Sequence, residues 1–102
     1  MPNAVKFEAF MFDALPLAAR TATVEMARDE RFAPVKNADG ADSPQTCRDA
    51  MVARSVRWLR EAGSTVGDGA VVEIDPRFAL EAADLPGRAP SEVAPGEMLY
   101  LT

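Results

Sequence analysis

Apolar positions at Phe7, Phe10, Met11, Ala14, Leu15 and Ala18 recur at steps of three and one. That period predicts a helix over 4–17. Asn3 is placed to cap it, and Pro16 biases Leu15 away from the α region and so ends or kinks it. Phe12 falls off this stripe. Over 20–27 the pattern changes to period two: Thr21, Thr23 and Glu25 alternate with Ala22, Val24 and Met26. This predicts a strand with one buried face, left by the charged run Arg28 to Arg31. The stretch 32–43, FAPVKNADGADS, is dense in Pro, Asn, Asp and Gly and predicts an irregular loop. A long helix follows over about 44–62. Asp42 or Ser43 is its cap, and Pro44 suits its first turn. Asp42 as cap would put Gln45 at the capping-box spacing. Its apolar residues at 47, 51, 52, 56, 58, 59 and 62 form a broad face with Trp58 the largest, and Gly63 closes it.

Beyond Gly63 the pattern breaks into short pieces. Val71, Val72 and Ile74 predict a strand ended by Asp75-Pro76, with possible strands at 78–80 and 98–101. The stretch 86–96, PGRAPSEVAPG, holds three of the eight prolines and is expected to be a loop or linker. No internal repeat is evident. The strand at 20–27 has no sequence neighbour to pair with. Two helices and a few short strands also bury little in 102 residues. The chain therefore reads as part of a larger α/β layer structure.

Composition narrows the chemistry. One cysteine, Cys47, excludes an internal disulfide, and there is no histidine, so His-based catalysis, thiolate zinc sites and Ser-His-Asp triads drop out. A net charge of −5, split nearly evenly between the halves, argues against nucleic acid as a partner. No apolar run approaches the roughly 18 residues of a membrane span, and no charged-then-apolar leader pattern opens the chain. These features and the lone cysteine are compatible with the cytoplasm. Among nine arginines there are only two lysines, one of them Lys36 in the turn-rich loop. Such a residue is a movable point charge for phosphate oxygens. Considered singly, most other candidates have simpler roles. Asp13 is a surface charge, Asp39 and Asp42 serve turns and caps, Cys47 is a small buried residue, and Arg54, Arg57 and Arg60 make a solvated helix face. Phe10 on the stripe suits the core, and Phe12 off it faces a neighbouring domain or a ligand.

Three stretches in order carry a resemblance: KFEAFMFDALPLA (6–18), EMARDERFAPVKNADGADSPQTCRDAM (25–51) and VVEIDPRFAL (71–80). The FxPxKN core and the D-S-P-x-T helix start are the most specific parts, and Phe12 and Lys36 are 24 residues apart. Over about 2–85 the chain resembles the C-terminal part of the UDP-sugar pyrophosphorylase family, most of all its UDP-N-acetylglucosamine branch. The resemblance implies an α/β fold, here the end of a Rossmann-like nucleotidyltransferase core (residues 1–66). A short β-rich C-terminal segment (67–102) would follow, shortened relative to the family, and 86–102 match poorly. It implies transfer of a uridylyl group from UTP to N-acetylglucosamine 1-phosphate or glucose 1-phosphate, with release of pyrophosphate and with Mg²⁺ bound in the complete enzyme. Lys36 matches the lysine that contacts the phosphates, and Phe10 and Phe12 match aromatic residues lining the sugar pocket. No glycine-rich nucleotide loop and no metal-binding aspartate is placed in this chain. The expectation is thus a portion inactive alone, completed by an N-terminal catalytic part or partner chain. The alternative is a stand-alone interaction module derived from the family, pairing with another subunit or with itself.

Overall fold

Helix α2 (Pro44–Glu61) is the element against which the turn at 28–31, the turn at 82–84 and the strands at 65–66 and 71–74 pack. In the computed structural model, which describes residues 3–102, the chain is α/β, as expected, with small parallel sheets beside this helix. The start of α2 is fixed by Ser43 rather than Asp42. The Ser43 hydroxyl accepts from the Thr46 amide at 3.3 Å, and the Thr46 hydroxyl accepts from the Ser43 amide at 2.9 Å. Each side chain thus satisfies a helix-end donor. Gln45 has no part in the cap and donates instead to Asp49 one turn on, at 2.7 Å. At the far end Gly63 takes φ 95°, and the Ser64 amide returns to the Leu59 carbonyl at 2.9 Å. Only glycine adopts that conformation freely, which is why the helix stops there. Ser55, Trp58 and Leu59 are buried, whereas Met51, expected on the packed face, is exposed.

Two strand pairs lie beside α2. Strand β1 (Thr65–Val66) pairs in parallel with β3 (Glu92–Val93), and β2 (Val71–Ile74) pairs in parallel with β4 (Met98–Leu101). Thr65 lies opposite Glu92 and Val71 opposite Met98, so one offset of 27 residues serves both pairs. The chain therefore runs strand, turn, strand twice, and the second copy stacks on the first. The turns meet closely: a Cβ on Gly67 would fall 2.5 Å from the Pro95 nitrogen. This overturns the expectation of no repeat. The repeat is faint because the two copies, TVGDGAVVEI and EVAPGEMLYL, share little beyond Val66/Val93 and Gly69/Gly96. It also overturns the linker reading of 86–96, since Val93 is 1% exposed and pairs in the stack. Residues 78–80 are a turn, not a strand: the Asp75 carbonyl accepts from both the Phe78 and Ala79 amides. The core is formed by Trp58 and Leu59 from α2 together with Val66, Val72, Leu85 and Val93.

The N-terminal quarter departs most from expectation. The helix over 4–17 is reduced to a 3₁₀ helix at Met11–Leu17 with Pro16 inside it, begun at Phe10 rather than Asn3. No strand forms at 20–27. The whole arm through Asp29 is exposed, with Phe7 at 91% and Leu17 at 86%. An amphipathic helix this short is stabilised mainly by what its apolar face packs on, and a lone strand needs an edge to pair with. Neither is supplied here. The radius of gyration is 18.5 Å, against about 13 Å for a compact chain of this length.

Candidate functional site

The charged run before the loop is a single helical turn, α1 (Arg28–Arg31), and it is tied to α2 through Asp29, whose carboxylate lies 3.5 Å from the Arg57 guanidinium, and above all through Glu30. The Glu30 carboxylate accepts from the Arg57 guanidinium on one oxygen and from the Trp58 indole on the other, the latter at 3.1 Å. The Glu30 carbonyl accepts from Arg54 at 3.4 Å, and Arg54 lies over the Trp58 ring, 4.8 Å from its centre. The Arg57 hydrogen bond is the main reason Glu30 titrates below the ordinary glutamate range, against a smaller opposing effect of burial. The same bond raises Arg57. The expectation of a solvated arginine face is thereby corrected for Arg54 and Arg57, whereas Arg60 is exposed. Arg54 and Arg57 are half-buried against α1, and Arg60 donates to the Val66 carbonyl at 3.0 Å. Long side chains pack their stems and spend their donors locally when a neighbouring element supplies acceptors.

The loop 32–43 runs from this clamp to the Ser43 cap and is irregular, as its composition predicts. It is also closed on itself. The Asp42 carbonyl accepts from the Lys36 amide at 2.6 Å and from the Asn37 amide at 3.1 Å, and the Asn37 side-chain amide donates to the Ala41 carbonyl at 2.7 Å. Asp42 stands at φ 51°, the one non-glycine residue with positive φ among the described residues. Lys36 projects into solvent with its ammonium 4.0 Å from the Asp42 carboxylate. The lysine is therefore accessible, next to a single weakly held counter-ion.

Phe10 and Phe12 are 54% and 66% exposed. The core reading of Phe10 is thus overturned, and both rings sit on the uncovered arm. The clefts along α2, beneath α1, beside the loop and at the edge of the strands are lined by none of Phe10, Phe12 and Lys36. The first of these, about 1030 Å³, runs between α2 and the strands past Arg48, Val52, Val56 and Met98. Within this chain, then, the structure does not assemble a pocket from the three sequence-predicted residues. Cys47 is free and half-buried, in a cleft with Phe32, Met51 and Arg54. Among the described residues no three His, Cys, Asp or Glu side chains gather. No helix among them is long and apolar enough to cross a membrane.

Comparison with known proteins agrees with the motif reading. No family model matches. The chain is 43% identical over 65 residues to UDP-N-acetylhexosamine pyrophosphorylase-like protein 1 of Mus musculus, which is 62% of this chain and 13% of that protein. It is 35% identical over 89 residues to UDP-N-acetylglucosamine pyrophosphorylase of Saccharomyces cerevisiae, 82% of this chain and 18% of that protein. Over 61 residues it is 44% identical to UDP-N-acetylglucosamine diphosphorylase 2 of Arabidopsis thaliana. This chain is related to the UDP-sugar pyrophosphorylase family. It spans less than a fifth of the length of these relatives.

Sequence reasoning missed Glu30 and the left-handed turn at Asp42. Glu30 carries no signal, since one acid in Arg-Asp-Glu-Arg looks like any other and only the packing of α1 on α2 selects it. For Asp42 a signal existed. An Asp two residues after Gly40, just before a helix cap, is among the side chains that tolerate the left-handed region best.

Proposed function

We propose that this chain is the C-terminal portion of a uridylyltransferase. The complete enzyme joins UTP to N-acetylglucosamine 1-phosphate, or to glucose 1-phosphate, and releases pyrophosphate. Residues 1–66 end its α/β core and 67–102 form a short β-rich segment. The observation that carries the reading is the FAPVKN loop. Its lysine is solvent-facing and sits on a closed turn, in a motif that resembles the family's phosphate-contacting lysine segment.

Attack of a sugar phosphate oxygen on the α-phosphorus of UTP places negative charge on oxygens that already repel one another. Positioning and charge neutralisation are what the protein supplies. Lys36 offers one positive charge on a flexible stem, which suits contact with those oxygens. Phe10 and Phe12 give part of the sugar pocket once the arm is covered, because an aromatic face packs against the apolar face of a pyranose. Mg²⁺ belongs to the complete enzyme. The partner is an N-terminal catalytic part carrying the glycine-rich nucleotide loop, and the compartment is the cytoplasm.

The chain alone is inactive in this reading. A coupled pyrophosphate assay with UTP and N-acetylglucosamine 1-phosphate is expected to give no turnover. Turnover that copurifies with the chain and vanishes in Lys36→Ala would show that the chain suffices.

The bare arm favours a second reading, an interaction module that pairs with another subunit. Val5, Phe7, Met11, Leu17 and Val24 are each at least 75% exposed, and such surface marks an interface more often than open solvent. Sedimentation at high concentration separates the two. A clean monomer argues against self-pairing, and a concentration-dependent dimer supports it.

A further inference from the structure

We propose that Asp42 is a positioning residue for Lys36: its left-handed backbone closes the 36–42 loop, and its carboxylate holds the place of a phosphate oxygen until substrate arrives. The second clause rests on the reading of Lys36 as a phosphate-contacting group. The first does not.

Three features converge on Asp42. Its φ of 51° is one that an L-residue occupies at a cost, and that cost is borne only where surrounding bonds fix it. Here the fixing bonds are to the lysine segment, since one carbonyl takes the amides of both Lys36 and Asn37. With the conformation changed, that carbonyl swings away and the two amides lose their acceptor together. The Asn37 side chain adds a cross-link one residue earlier, on the Ala41 carbonyl. This gives the asparagine of the KN pair a definite role as the second tie of the loop. The chain ends of the loop are held separately, by the Glu30 clamp and by the Ser43 cap.

The same residue presents its carboxylate to the Lys36 ammonium, 4.0 Å away, with both side chains well exposed, at 43% and 66%. An exposed pair at this distance is weak and readily exchanged. It neutralises the lysine in the empty state without locking it. An incoming di- or triphosphate carries more charge and more acceptor oxygens than one carboxylate, so the ammonium moves to it and Asp42 is released. No bond is made or broken in this exchange.

The chain offers an internal control, because Lys6 and Lys36 are its only lysines. Reductive ¹³C-dimethylation keeps both charges and gives each lysine one reporter resonance. Asp42→Asn is expected to shift the Lys36 resonance and leave Lys6 unmoved. Amide hydrogen exchange reads the backbone role. Asn and Gly both accept the left-handed conformation, so Asp42→Asn and Asp42→Gly should keep Lys36 and Asn37 amide protection within about twofold of the parent. Asp42→Ala should lower both about tenfold, while Trp58 and Leu59 keep theirs. Equal protection in all three variants, or equal loss, would overturn the pivot. An unmoved Lys36 resonance in Asp42→Asn would overturn the contact. Inorganic pyrophosphate tests the exchange, with half-saturation of the Lys36 shift expected at lower concentration in Asp42→Asn than in the parent. Weaker response in Asp42→Asn overturns the placeholder role. If pyrophosphate moves Lys36 in neither protein, the phosphate reading of Lys36 fails in this chain. The exchange data still decide the pivot.

Discussion

The arm over 3–27 is the more apolar region, with 16 apolar residues of 25 against 27 of 60 in the body over 43–102, yet it is the body that forms the core. In the body, Leu59, Val72, Leu85 and Val93 are at most 1% exposed, because α2 and the stacked strands offer one another matching faces. In the arm, phenylalanines and leucines at helical spacing meet nothing and stay in solvent. Hydrophobic residues do not make a core by themselves. A second surface at the right distance decides whether the period in the sequence becomes a helix. The loop with Lys36 joins the two regions and is held from the body side.

The sharpest test of the contrast is a pair of truncations. Leu59→Ala is expected to lower unfolding free energy by about 2–5 kcal/mol, since it empties a closed site. Leu17→Ala in the arm should change it by less than about 0.5 kcal/mol. Urea denaturation of both variants gives the numbers, and comparable losses would mean the arm is packed after all.

Gly67→Ala probes the stack. The new methyl would fall 2.5 Å from the Pro95 nitrogen and 2.7 Å from its ring, so the second turn must shift. Overpacking of this kind costs about 1–3 kcal/mol. The loss should show as a lower urea midpoint, together with faster exchange of the Thr65, Gly67 and Val71 amides, which bond across the two copies.

Glu30→Gln tests the clamp between arm and body. It keeps the shape and removes the charge that Arg57 and Trp58 share, a change of about 1–2 kcal/mol for a half-buried, charge-assisted pair. The pH dependence has a definite sign. Because the Glu30 carboxyl titrates below its unfolded value of about 4.3, its contribution is fully present above that value and lost as pH falls through the lower folded value. Asp75, just after β2 and held well below its usual range chiefly by the Arg77 side chain, acts in the same direction. The parent should therefore lose stability below about pH 4.3 more steeply than Glu30→Gln. Parallel acid profiles would remove Glu30 from the clamp.

The smallest expected effect is on the body when the arm is removed. Deleting 3–26 should leave the urea midpoint of the body nearly unchanged and reduce binding of a hydrophobic dye. A fall in midpoint would show that the arm contributes to the body's core.

Legibility followed how locally each element is determined. Helix α2 was readable to within a residue because its signals are its own: a hydroxyl cap, a proline in the first turn, a terminal glycine and a wide apolar face. The choice of Ser43 over Asp42 as cap was not, because both side chains can accept from a helix amide and only the backbone angle at Asp42 separates them. Lys36 was picked out by its motif and does lie on an accessible loop, but the ties on Asn37 and Asp42 depend on the path of the turn. Phe10 and Phe12 were read with a pocket in view, and the chain by itself leaves both rings uncovered. The 27-residue repeat leaves little trace in the sequence because parallel stacking is specified by backbone pairing and by one close glycine contact, not by side-chain identity.

What the sequence determined by itself was the α/β class, the long helix with its ends, the irregular lysine loop, and kinship with the UDP-sugar pyrophosphorylase family. Each of these is set by neighbours within a few residues or by a contiguous motif. The tertiary structure decided that Glu30 is the clamp, that the strands stack in parallel pairs, and that the arm meets no partner surface among the described residues. Those outcomes depend on residues 20 to 30 positions apart meeting in space, and the contribution of each residue depends on what lies opposite it.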